Sequence, residues 1–293
     1  MESLYSVAFQ AMGSPCQIRL YAPSRNSAQS VSQLLINEAR RFESKFSRYL
    51  SDSLVSRINQ SQGAEHLLDN ETAAIINYAA QLFEQSNGLF DITSGLLRRA
   101  WDFSSAQVPS AQTIEKLLPF IGWQRVSWQN PKICLPDKMQ IDLGGVVKEY
   151  AADALARFAQ ERGISSGLIE LGGDIRVFGE HSWPIGISDP RQPSKALYQL
   201  RLQAGGFATS GNYQRYFIHN GQRYSHILNP KTGWPMITPA GVSVVAENCL
   251  IAGSVSTLAL LMGETHCLQW LYEVGLPFLC VFNDGRIVNE FCE

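Results

Sequence analysis

The sequence predicts an α+β fold: mixed or antiparallel sheets with helices packed against them. Two observations carry this. Helical and strand patterns are mixed without a strict β-α-β repeat. Most of the strand patterns also fall after residue 165, in close succession.

Taken in order, residues 5–10 and 16–21 alternate as two short strands. A helix is expected over 27–46, with Leu34, Leu35, Ala39 and Phe42 at helical spacing. A second is expected over 71–85, with Ala73, Ile76, Ala80 and Phe83 on one face and Gly88 as its stop. Residues 91–120 suggest short helices joined by a Ser- and Pro-containing loop at 103–110. Strands are expected at 125–128 and 139–142, a helix at 145–160 and a strand at 167–171. Further strands are expected at 175–178, 184–187, 198–203, 206–210, 215–219, 224–228 and 242–246. Helices at 249–261 and 265–274 and strands at 278–283 and 286–289 complete the chain. No fixed repeat, low-complexity tract or linker interrupts it, so residues 1–293 are expected to form one domain, with room for two interleaved lobes.

The composition, 45% hydrophobic and 17% charged, is that of a globular protein rather than a disordered or collagen-like one. A net charge of -2 without like-charge runs gives no basic surface for nucleic acid. There is no 18-residue apolar stretch and no secretory leader pattern, which points to the cytoplasm. Cys16, Cys134, Cys249, Cys267, Cys280 and Cys292 form no CxxC pair and are expected to be reduced thiols, mostly in the core. The histidines form no HxH or HxxxH pair, which argues against a structural zinc site.

Four segments have the make-up of a site. In Asp142-Leu143-Gly144-Gly145-Val146-Val147-Lys148, two glycines turn the chain into a helix. Such a turn lets backbone approach a ligand, the helix N-terminus suits phosphate, and Lys148 is placed to reach the same anion. An ordinary strand-to-helix turn explains the same residues. Gly172-Gly173-Asp174 offers a second glycine turn, equally well read as a tight hairpin. Thr209 and Ser210 are expected on a strand neighbouring that of His226. This arrangement suits a nucleophile–base pair or a hydrogen-bonding ligand site, and also a plain polar hairpin edge. Ser256 and Thr257 lie in the helix after Cys249, able to bind a ligand or a metal-bound water or to bond back along their own helix. Gly253 in that helix costs about 1 kcal/mol against Ala and marks a close contact.

In this order the segments resemble the FAD:protein FMN transferase family, also called ApbE-like. The resemblance starts at Met12-Gly13-Ser14 and runs through Phe46-Ser47-Arg48-Tyr49, Ser53 to Asn59, Gly88 to Thr93 and Trp101-Asp102-Phe103. It continues with the 142–148 turn, Gly172-Gly173-Asp174, Ile187 to Pro190, Ala208 to Gly211 and His226 to Gly233. It implies an ApbE-like fold and a FAD site containing Met12, Tyr49, Leu89, Phe90, Asp91, Asp142, Lys148, Ile227 and Ser256. It implies Mg²⁺ at the pyrophosphate, held by the backbone oxygen of Gly145, the side chain at 253 and the hydroxyl of Thr257. The implied reaction moves FMN from FAD to a Ser or Thr hydroxyl of an acceptor redox flavoprotein and releases AMP, with His226 as candidate general base. FAD pyrophosphatase activity, or FAD binding without turnover, are the alternatives. The chain departs from the family pattern at three places: Gly253 stands where Asp is usual, Glu149 where Gly is usual, and Asn229 where Asp is usual. Loss of the Asp implies weaker Mg²⁺ binding or a different ligand set.

Overall fold

The computed structural model describes residues 2–213 and 215–291, without the side chains of Pro193 and Ser194. Strands β1 (Ser3–Ala11) and β2 (Ser14–Ala22) form a hairpin, followed by helix α1 (Arg25–Phe46). Helix α2 (Leu54–Asn59), strand β3 (Glu65–Leu67) and helix α3 (Asn70–Gln85) come next. After a 3-10 turn at Ser94–Arg99 and helix α4 (Ala111–Glu115), strands β4 (Ser127–Gln129) and β5 (Lys132–Cys134) join β3 in a three-stranded sheet. Helix α5 (Val147–Glu161) leads into β6 (Ser166–Leu171) and β7 (Asp174–Phe178). The ribbon β8 (Trp183–Asp189) and β9 (Gln192–Leu202) precedes β10 (Gly205–Gly211). The chain continues through the hairpin β11 (Tyr216–His219) and β12 (Gln222–Ser225), then β13 (Gly241–Ala246). It ends with α6 (Cys249–Leu261), α7 (Gly263–Val274), β14 (Phe278–Val281) and β15 (Ile287–Asn289).

Eight strands form the main sheet in the order β1-β2-β6-β7-β10-β13-β14-β15, every neighbouring pair antiparallel. The fold is α+β, as the unalternated strand pattern requires. Helices α1, α5 and α6 lie side by side on one face, where Ile18, Leu20, Ile169, Leu35, Phe42, Leu155 and Leu258 are buried together. The β8–β9 ribbon covers the other face through Trp183, Ile185, Ile187 and Leu202, packed on Leu168, Val177 and Phe207. With both faces covered, all but one residue of β6 and of β13 is buried. A satellite cluster of Leu96, Leu97, Trp101, Ile114, Ile121 and Phe217 stands apart from the sheet. There Trp101 Nε1 donates to Gly233 O at 2.7 Å and pins the loop that follows His226.

Two expectations are corrected. Residues 139–142 belong to no strand. The Asn59 side chain takes the place of a neighbouring strand: its Oδ1 accepts from Ile141 N at 2.7 Å and its Nδ2 donates to Ile141 O at 3.0 Å. Asp142 N then donates to Ile92 O. Thr209 and Ser210 are not beside His226. Strand β10 lies between β7 and β13 of the main sheet, whereas His226 follows β12 of a separate hairpin. The helix α2 and the strands β3 and β5 were not anticipated, although Ser53 caps α2 as a sequence signal would suggest, its hydroxyl accepting from Ser56 N. Cys292 lies outside the described residues; Cys16, Cys134, Cys249, Cys267 and Cys280 are free thiols. No helix among the described residues is long and apolar enough to cross a membrane.

Candidate functional site

The turn after residue 142 is built by its own carboxylate. Asp142 Oδ1 accepts from Gly144 N at 2.9 Å, while Oδ2 lies 3.1 Å from Arg48 Nη1. The same Arg48 nitrogen donates to Gly95 O at 2.7 Å. Gly95 is required here, because a Cβ would stand 2.6 Å from Asp142 Cβ. Phe90 is buried behind the turn, with its ring 3.2 Å from where a Cβ on Gly145 would lie. Asp91 is also buried. One oxygen accepts from Thr93 N and Oγ1 and the other from Trp123 N. Burial outweighs these bonds and raises its pKa.

A second turn meets the first. Met12 and Gly13 close the β1–β2 hairpin with positive φ, and Gly172 N donates to Pro15 O beside it. Lys148, in the first turn of α5, extends over this junction. Its Nζ is 3.6 Å from the position of a Cβ on Gly172 and 3.1 Å from Asp174 Oδ2. Burial opposes the Lys148 charge, but Asp174 and Glu149 outweigh it and raise the pKa. Tyr49 stands at 84% exposure, an aromatic face open to solvent.

Cations gather between these turns. Arg98 is half-buried, with its guanidinium over the Phe103 ring, and takes part in no ion pair among the described residues. Burial lowers its pKa; Tyr49 and Asp142 act in the opposite sense, and Arg215 and Arg48 reinforce the fall. His226 feels the same field. Burial first, then Arg98 and Arg215, depress its pKa to about 4. His226 Nδ1 is 3.1 Å from Arg215 O. A carbonyl only accepts, so this contact assigns the proton to Nδ1 and leaves Nε2 with a free lone pair. Ile227, the next residue, packs on the two largest clusters of the core.

Helices α5 and α6 are fastened together by side chains near these turns. Asp153 accepts from Cys249 N and Leu250 N, both at 2.9 Å, and so caps α6 from α5. Asn248 caps the same helix from within, accepting from Ile251 N. One turn before Asp153, Glu149 lies against Gly253, one turn further along α6. The helices therefore run in opposite directions at this contact. A Cβ on Gly253 would be 2.5 Å from Glu149 Cγ. Glu149 is 6% exposed and its Oε2 has no hydrogen-bond partner. Burial, with Asp174 nearby, pushes its carboxyl up to about 8. Ser210 Oγ lies 2.9 Å from both Ser256 Oγ and Thr257 Oγ1. Thr209 bonds to Ser243 instead.

The structure thus joins Asp142 and Gly145 in one turn, sets Lys148 over the Gly172 turn beside the Met12 hairpin, and places Tyr49, Asp142 and His226 around Arg98, while Thr257 lies one turn beyond Gly253 on α6. Phe90, Asp91 and Ser256 are buried, Ser256 wholly so. Leu89 is half-buried and joins Phe90 to the helix stop at Gly88. A separate surface cavity of about 420 Å³, lined by Phe83, Asn87, Gly88, Leu118, Gly122 and Lys231 among others, shares only Asp91 with the expected site. Arg48, Arg98 and Arg215 were not singled out as site residues in the sequence. Arg48 stood inside a matched segment, but Arg98 and Arg215 lie in no motif; only a missing acidic partner distinguishes Arg98.

Comparison with known proteins identifies the family and the fold. The ApbE family model matches residues 12–279. The FAD:protein FMN transferase of Klebsiella pneumoniae strain 342 is 29% identical over 273 residues, spanning 90% of this chain and 84% of its own. That of Vibrio cholerae is 28% identical, over 84% of this chain and 78% of its own. The crystal structure of the ApbE protein from Thermotoga maritima superposes with a TM-score of 0.90 at 30% identity, covering 98% of this chain and 97% of that one. The flavin transferase ApbE of Vibrio cholerae superposes at 0.87 with 23% identity, a likeness of fold. With the order of turns, the antiparallel sheet and the matched span all in agreement, the chain belongs to the ApbE family.

Proposed function

We propose that this chain transfers FMN from FAD to a Ser or Thr hydroxyl of an acceptor redox flavoprotein, as a single transferase domain. The observation that carries the reading is the Arg98 guanidinium, which takes part in no ion pair among the described residues and shares its electrostatic neighbourhood with Arg48, Arg215 and His226. Unpaired cations beside glycine turns suit a diphosphate, which supplies the missing charge. The exposed Tyr49 ring offers a face for a planar heterocycle. Met12, Leu89, Asp142, Lys148 and Ile227 border the flavin or its phosphates. Phe90, Asp91 and Ser256 hold those turns in place.

In this reading the acceptor hydroxyl attacks the phosphorus on the riboflavin side of FAD. A new P–O ester forms, the anhydride P–O bond breaks, and its electron pair leaves with AMP. His226 Nε2 takes the hydroxyl proton, since Nδ1–H is held by Arg215 O. Its low pKa keeps the imidazole neutral at pH 7, and a nearby diphosphate raises its basicity.

The residues present fit a hard divalent cation. Among the described residues no three His, Cys, Asp or Glu side chains converge as a metal cluster. An oxygen set remains: the Gly145 carbonyl, the Thr257 hydroxyl and a buried acid with a free oxygen, Glu149 Oε2. When bound, Mg²⁺ offsets charge on the phosphoryl oxygens. The unpaired thiols support a reducing compartment, the cytoplasm.

The test is mass spectrometry of a redox flavoprotein bearing a Ser/Thr flavinylation motif, after incubation with the chain, FAD and Mg²⁺. The expected result is an FMN adduct on one hydroxyl with AMP in equal amount. FMN and AMP released free, with the acceptor unmodified, would replace transfer by hydrolysis.

A further inference from the structure

Resting on the Mg²⁺ reading above, we infer that Glu149 supplies the carboxylate ligand of the metal site, reaching it from α5 across the bare surface of Gly253. Two observations lead there. Glu149 Oε2 is buried without a hydrogen-bond partner. A buried carboxylate oxygen left unsatisfied is costly, and a cation is the partner that removes the cost. The side chain also occupies the space a residue at 253 would need, with its Cγ 2.5 Å and its Oε1 3.0 Å from a Cβ built there. The acid therefore stands over the α6 face that carries Thr257 one turn later.

Geometry completes the set. Asp153 fixes the antiparallel contact by capping α6 at Cys249 and Leu250, and Glu149 meets Gly253 one turn on. Another turn in the same direction leads from Gly253 to Thr257 and from Glu149 back to the Gly145 turn. Carbonyl, carboxylate and hydroxyl thus follow one line along the α5–α6 seam. Ser210 Oγ, 2.9 Å from Thr257 Oγ1, orients that hydroxyl. Glycine at 253 admits the acid from the facing helix, so Gly253 and Glu149 form one arrangement.

The alternative is a buried glutamic acid with a packing role alone. Mn²⁺ serves as the spectroscopic probe, its free aqueous EPR signal being lost on binding to the full chain at saturating FAD. Glu149→Gln keeps shape and hydrogen-bonding capacity but cannot donate a charged oxygen. Mn²⁺ affinity is expected to fall at least about tenfold in this variant. FAD affinity measured without metal should change less than about threefold. The paired exchange Glu149→Gly with Gly253→Asp moves the acid to α6 and is expected to recover Mn²⁺ binding. Gly253→Asp alone is expected not to tighten it, because the two side chains compete for one volume. Wild-type affinity in Glu149→Gln, or no recovery in a folded paired variant, overturns the assignment while leaving the metal reading intact. Absence of Mn²⁺ binding in the wild-type chain overturns both. Loss of binding in Glu149→Gln upholds the assignment whether or not FMN transfer is observed.

Discussion

Lys148 Nζ lies 3.1 Å from Asp174 Oδ2, with the carboxylate buried and the ammonium half-exposed at the junction of two glycine turns. The acid aims the lysine without hiding it. Lys148→Met is therefore expected to weaken FAD binding about tenfold in a fluorescence titration, the worth of one charge-assisted contact. It should also expose the cost of Asp174. Burial raises the Asp174 pKa and Lys148 opposes the rise. Without the lysine the folded-state pKa moves further above the unfolded value. The stability of the protonated acid is then lost as pH increases through it. The melting temperature of Lys148→Met should fall more steeply than that of wild type as pH rises above the ordinary aspartate value. Adding Asp174→Asn should remove the difference.

Arg98 separates binding from stability. Its half-buried charge forms no ion pair among the described residues and feels Asp142 only at a distance, so the fold gains little from it. Arg98→Met should leave the melting temperature in the absence of FAD unchanged or higher. The same change should reduce FAD affinity about tenfold. A lower melting temperature with unchanged affinity would make Arg98 structural.

Asp91 is expected to behave in the opposite way. Its carboxylate serves Thr93 and Trp123 from behind the site. Asp91→Ala leaves three donors without an acceptor and should cost about 3 kcal/mol in denaturant unfolding. FAD affinity of the remaining folded protein should change less than the stability does.

His226 predicts an acid limit. Its folded-state pKa of about 4 lies below the ordinary imidazole value of 6.5. Stability associated with the neutral imidazole is complete above pH 6.5 and is lost as pH falls toward 4. Wild type should lose melting temperature faster than His226→Gln across that interval. His226→Ala should slow FMN transfer about a hundredfold or more, and an NMR titration should find the imidazole pKa higher with FAD bound.

Much of this was legible in the sequence, and the failures have physical causes. Periodicity placed α1, α3 and α5, because each buries one stripe in the core, whereas α6 is apolar and buried almost all round. The alternation at 139–142 looked like a strand, yet Asn59 satisfied its backbone from a distant helix, which no local pattern reveals. Glycine pairs located the turns. They did not show that β10 would turn Ser210 toward Thr257 rather than His226. Glu149 and Gly253 were each visible as departures. Only the packing of α5 on α6 shows that they occupy the same space.

That shared space also constrains the order in which the two positions can change. Introducing a side chain at 253 first meets Glu149, and trimming Glu149 first strips the seam of its acid. On the proposed assignment each single step weakens the metal site, so a mutational barrier separates the two arrangements. A lineage that has settled on one of them is held there by its own history.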